Sequence, residues 1–146
     1  MNQVCTTFED LHQLEDAIEF LQRMLVKLAG APKVLVVEDN DNDYFLMKRS
    51  LDKFQCEVTR VTDGEQAIEA IKSKKFDLVF LDQALPKLTG GEVLKETMGW
   101  RKDTRVILVT GYMHSPCIPK SLEAGAVMAF AKPISEEVLG LFLTPL

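Results

Sequence analysis

From residue 33 onward the apolar positions come in short β-rich runs separated by helix-like stretches. The runs are KVLVV (33–37), CEVTRV (56–61), DLVFL (77–81), RVILV (105–109) and VMAFA (127–131). About 15 to 25 residues separate successive runs, room for a crossover helix and two short loops. That alternation predicts parallel βαβ units and an α/β fold with helices on both faces of one sheet. The segments VLVV and VILV are apolar throughout, as strands covered on both faces must be. Thr62-Asp63-Gly64-Glu65 and Thr89-Gly90-Gly91-Glu92 both read as capping boxes ahead of helices. Gly125 closes the helix before the fifth run. Pro116 and Pro119 suit a first turn but break an interior, so that helix should begin near Pro119 and be short. The last helix should run a few turns from about Ser135.

The first 31 residues follow another period. Thr6-Thr7-Phe8-Glu9 is a further capping box, and Leu11, Leu14, Ile18, Leu21, Leu25 and Leu28 then recur with 3-4-3-4-3 spacing. Ala17, Phe20 and Met24 form a second, shorter stripe, and Gly30 and Pro32 end the pattern. The chain thus divides into an amphipathic, heptad-patterned helix over 1–31 and a domain over 32–146. Such a seam suits a homodimer through a two-stranded coiled coil. The alternative is one amphipathic helix packed on its own domain.

Composition narrows the classes. With 146 residues and a net charge of −5, the chain is long enough for one core and is no broad nucleic-acid surface. It has neither a helix-turn-helix pattern nor a basic stripe, so direct DNA binding is not expected. Lys72, Lys74 and Lys75 decorate a solvated helix end. Cys5, Cys56 and Cys117 have no metal-ligand or disulfide spacing, which suits a reducing cytoplasm. Glu9, Asp10 and Glu15 interrupt any signal peptide, and no run reaches the length of a membrane span.

In an open α/β sheet, ligands bind beyond the carboxyl ends of the strands. Past the first run lie Glu38 and Asp39; past the third, Asp82; past the fourth, Thr110; past the fifth, Lys132. Two carboxylates 4 Å apart repel by roughly 4 kcal/mol at an effective dielectric near 20. Three such groups require a cation. A hard divalent ion fits, and Mg²⁺ (or Mn²⁺) favours one or two carboxylates together with water and phosphate oxygens. A hydroxyl and an ammonium beside it suit a phosphoryl group. Asp41 and Asp43 are read as helix-start residues favoured by the dipole. Asp39, Asp41 and Asp43 also have the 1-3-5 spacing of an EF-hand, but Tyr44 and Ser50 occupy the positions that require Gly and Glu.

The segments VLVVEDNDND, FDLVFLDQALPKLTGGE, VILVTG and EAGAVMAFAKPIS, in this order, resemble the receiver domain of two-component response regulators. The resemblance spans residue 33 to about 140. It implies a flavodoxin-like, doubly wound (βα)₅ fold with strand order 2-1-3-4-5. It implies that Asp82 is the phosphoacceptor, that Asp39 and Glu38 hold Mg²⁺, and that the Ala84 backbone carbonyl is a further ligand. Thr110 would bond the phosphoryl oxygen and Lys132 would pair with it, with a cis Lys132–Pro133 bond. The implied partners are a histidine kinase or phosphotransfer protein upstream and a protein target downstream. The implied role is a phosphoacceptor module rather than an enzyme with a separate substrate, assisting its own Mg²⁺-dependent phosphorylation and dephosphorylation.

Two departures stand out. The position three residues before Lys132, usually Tyr or Phe in the family, is Ala129, and Gly111 replaces the usual Ala after Thr110. With no effector domain expected after the receiver, output is assigned to protein contacts through the N-terminal helix. A constitutive interaction module that kept the acidic site but lost the switch is the competing reading. A phosphatase using an Asp nucleophile needs a second Asp two residues on, where this chain has Ala84.

Overall fold

The computed structural model describes residues 8–99 and 103–143. Cys5, Trp100 and the Thr6–Thr7 part of the first capping box lie outside the described residues. The chain begins with α1 (Phe8–Ala29), and then strand and helix alternate: β1 (Lys33–Val37), α2 (Asp41–Leu51), β2 (Glu57–Val61), α3 (Gly64–Ser73) and β3 (Leu78–Leu81). There follow α4 (Gly90–Thr97), β4 (Arg105–Thr110), α5 (Cys117–Glu123), β5 (Met128–Ala131) and α6 (Glu136–Leu143). All pairings are parallel, in the order β2-β1-β3-β4-β5. This is the flavodoxin-like topology that the resemblance to receiver domains implies.

Two apolar layers flank the sheet. Alternate strand residues Leu35, Val37, Val79, Leu81, Val106 and Leu108 pack with Ala67 and Ile71 of α3 and with Val93 and Leu94 of α4. On the opposite face Val34, Val36, Leu78, Phe80, Ile107 and Val109 pack with Leu51 of α2 and with Leu139 and Leu143 of α6. The three central strands are therefore buried on both sides, which is why their sequences lack alternation.

The capping chemistry corrects one expectation. The Thr89 box is present, with Thr89 and Glu92 satisfying each other's backbone. The α3 cap lies one residue later than predicted: Asp63, not Thr62, accepts the Gln66 amide, and the Gln66 side chain accepts from the Thr62 amide. Asp is as good a cap as Thr, and the shift places Gly64 inside the first turn. Helix α5 is seven residues long and starts at Cys117, two residues before Pro119, with Pro116 as cap and Pro119 inside the first turn. Gly125 follows it with a φ of 122°, a conformation that side chains resist. Among the described residues, no helix is long and apolar enough to cross a membrane.

Candidate functional site

Strand register builds the site. Val37 lies opposite Leu81, and Leu81 opposite Leu108. The next residue out on β1 and β3 is an acid in each case, so Glu38 and Asp82 become neighbours at one sheet edge. The Glu38 amide donates to the Val61 carbonyl, and the Asp82 amide to the Val37 carbonyl. At β5, the Lys132 amide donates to the Thr110 carbonyl, setting Lys132 over the same edge. The Lys132–Pro133 peptide is cis.

Carboxylate oxygens of Glu38, Asp39 and Asp82 lie within 4.8 Å of one another, close enough to share one ion. Glu38 and Asp82 are buried and Asp39 is exposed, so the cluster opens to solvent at one side. These three hard oxygen donors fit a Mg²⁺-sized cation that keeps some of its water. The protein supplies its own cation as well. Lys132 Nζ donates to Glu38 at 2.7 Å, to Asp82 at 2.9 Å and to Asp43 at 3.0 Å. Burial alone would push the ammonium down, but the bonds to Glu38, Asp82 and Asp43 outweigh it and hold Lys132 far above its usual range. Burial raises Glu38, against the pull of Lys132. A mostly apolar cavity of about 310 Å³ opens beside the cluster, lined in part by Met47, Phe80, Val109 and Ile134.

Of the residues singled out from sequence, Glu38, Asp39, Asp82 and Lys132 converge. Thr110 is buried at the end of β4, and its hydroxyl accepts the Tyr112 amide at 3.1 Å. Ala84 meets Asp82 through its backbone N–H, which donates to Oδ1 at 3.1 Å.

Four further residues shape the site. Asp43 starts α2 as expected, but it also faces Lys132. Arg60, on β2, donates to the Glu38 carbonyl at 3.2 Å and to Asp41 at 2.7 Å, and stacks over the Tyr44 ring at 4.3 Å. It ties down the acidic loop from the neighbouring strand; no local motif marks it. Gln83, next to Asp82, accepts a bond from Ser121 of α5 at 3.1 Å. Gly90 lets α4 approach this edge, since a Cβ there would meet the Asp82 carbonyl at 2.8 Å.

The comparisons agree with this geometry. The model of the response regulator receiver domain matches residues 34–143, and this chain belongs to that family. It is 38% identical over 108 residues to the autoinducer 2 sensor kinase/phosphatase LuxQ of Vibrio vulnificus, covering 73% of this chain and 13% of that protein. The chain thus spans a small part of that relative. It is 33% identical over 101 residues to sporulation initiation phosphotransferase F of Bacillus subtilis, covering 69% of this chain and 82% of that protein. Among solved structures, the receiver domain of a sensor histidine kinase of Pseudomonas aeruginosa superposes with a TM-score of 0.72 at 26% identity. That match covers 78% of this chain and 95% of the other, which holds a magnesium ion in its active-site cleft. The class is therefore the receiver domain of two-component systems.

Proposed function

We propose that Asp82 accepts a phosphoryl group from a histidine kinase or a histidine phosphotransfer protein and that the acyl phosphate switches protein contacts. The observation that carries this reading is the meeting of Glu38, Asp39, Asp82 and Lys132 at one sheet edge. Glu38, Asp39, Asp82 and the Ala84 carbonyl would hold Mg²⁺ or Mn²⁺. When bound, the ion would neutralise charge on the phosphoryl oxygens. The chain's own residues do the rest. The Asp82 carboxylate is the nucleophile: an oxygen attacks phosphorus in line as the bond to the donor nitrogen breaks. The Ala84 amide orients that carboxylate through Oδ1. Lys132 releases Asp82 and takes a phosphoryl oxygen instead, since its donors already point there. The Thr110 hydroxyl exchanges the Tyr112 amide for the phosphoryl group, and this loosens the loop between β4 and α5.

The downstream partner is read as a protein, with α1 as the contact element. Free Cys56 and Cys117 suit a cytoplasmic location. A second reading has support from β5. Ala129 faces the α3–α4 layer where the family usually has an aromatic ring, while Phe130 points to the other face against Phe142. A constitutive module would follow if that substitution broke the switch. Beryllofluoride with Mg²⁺ separates the two. Amide NMR shifts around Asp82, Thr110 and α5 should move in wild type and stay fixed in Asp82→Asn. Shifts confined to the acidic edge favour the constitutive module, and no shift in wild type rules out the phosphoacceptor.

A further inference from the structure

The seam of α1 is bare in the single chain. Leu11, Leu14, Ile18, Leu21, Leu25 and Leu28 are 46–80% exposed, a continuous apolar strip on a 22-residue helix. In proteins most helical stability comes from packing of an amphipathic face rather than from propensity, so the strip needs cover. We infer that it is covered by α1 of a second copy of this chain, running antiparallel. This deepens the reading of α1 as a contact element and does not depend on the chemistry at Asp82.

Pattern and charge both favour the antiparallel pair. Leu11, Ile18 and Leu25 take the a sites of a heptad, and Leu14, Leu21 and Leu28 the d sites. All six are apolar, so no buried polar residue fixes a parallel register. A parallel pair would set Asp10, at a g site, against Glu15, at an e site, on both edges of the coil, acid on acid. It would also stack the acidic first half (Glu9, Asp10, Glu15 and Asp16) on itself and align the two helix dipoles.

Reversal removes each conflict. The 3-4-3-4-3 spacing reads the same from either end. Leu11 then meets Leu28 of the second copy, Leu14 meets Leu25, and Ile18 meets Leu21. The acidic half lies along the half that carries Arg23 and Lys27, and the dipoles oppose. The edges pair Glu15 with Gln22 and Ala17 with Met24, with no acid against acid. A helix of this length runs about 33 Å, and β1 starts four residues after α1 ends. The two sheets therefore stand at opposite ends of the coil.

The test uses the full chain with Cys5, Cys56 and Cys117 replaced by Ser and one spin label at Glu9→Cys, an outward position that leaves the seam intact. Light scattering of the unmodified chain at tens of micromolar should give a dimer. Pulsed dipolar measurement should place the two labels more than about 30 Å apart, at the two ends of the coil. Labels near about 20 Å would mean a parallel pair, and a monomer with no dipolar coupling would mean no pair; either overturns the proposal. Acyl phosphate formation on the same samples, read by intact mass, reports the Asp82 chemistry separately.

Discussion

At the residue scale, Lys132 is the hinge of the electrostatics. Three carboxylates share its ammonium, two of them on buried side chains. Removing one partner of a buried ion pair is costly because the survivors stay charged and dry. The cluster is open at Asp43, which is 41% exposed, so the cost falls below that of a fully buried pair. Lys132→Ala should lose about 2 kcal/mol in metal-free buffer, read from the urea midpoint. The same variant should bind Mg²⁺ more tightly than wild type, because the carboxylates then lack a competing cation. Tighter binding and recovered stability in millimolar Mg²⁺ would be seen by titration calorimetry and repeat unfolding. Cys56 offers a second check. Burial pushes its thiol up, and its Sγ donates to the Leu51 carbonyl, whereas Cys117 is exposed. With an aromatic disulfide reagent Cys117 should react fast and Cys56 slowly; equal rates would argue that α2 is loosely packed.

At the element scale, caps and close approaches set where the site residues sit. Thr89→Ala should cost about 1 kcal/mol by removing one side of the capping box. Gly90→Ala should cost more, about 1–3 kcal/mol, because its Cβ would strike the Asp82 carbonyl at 2.8 Å. It should also slow phosphorylation, which Thr89→Ala should not. Thermal unfolding and the rate of adduct formation from acetyl phosphate check both. The strands were legible because apolar runs and spacing agreed, whereas their order, β2-β1-β3-β4-β5, came only from the family resemblance that the motif residues carry. Glu38, Asp82 and Lys132 were legible because each follows directly on its run. Asp43 was read only as a helix-start acid, since its distance from Lys132 depends on how α2 docks. Arg60 was silent because its role comes from strand pairing across the sheet. The α3 cap was displaced by one residue because Thr62 and Asp63 are both competent caps, and local sequence cannot choose between them.

At the scale of the whole molecule, metal, phosphoryl group and fold should be linked. An ion that binds only the native acidic edge stabilises by mass action, about 2.7 kcal/mol at a hundredfold excess over its Kd. EDTA should therefore lower the urea midpoint of wild type in Mg²⁺ buffer, and Asp39→Asn should blunt that difference. Deleting residues 1–31 should leave this linkage intact, since the acidic edge is built from β1, β3 and β5. The most direct test of the central claim is intact-mass spectrometry after incubation with acetyl phosphate and Mg²⁺. Wild type should gain the mass of one phosphoryl group, sensitive to hydroxylamine, and Asp82→Asn should gain none. An unmodified wild type, or an adduct that survives in Asp82→Asn, would contradict the account.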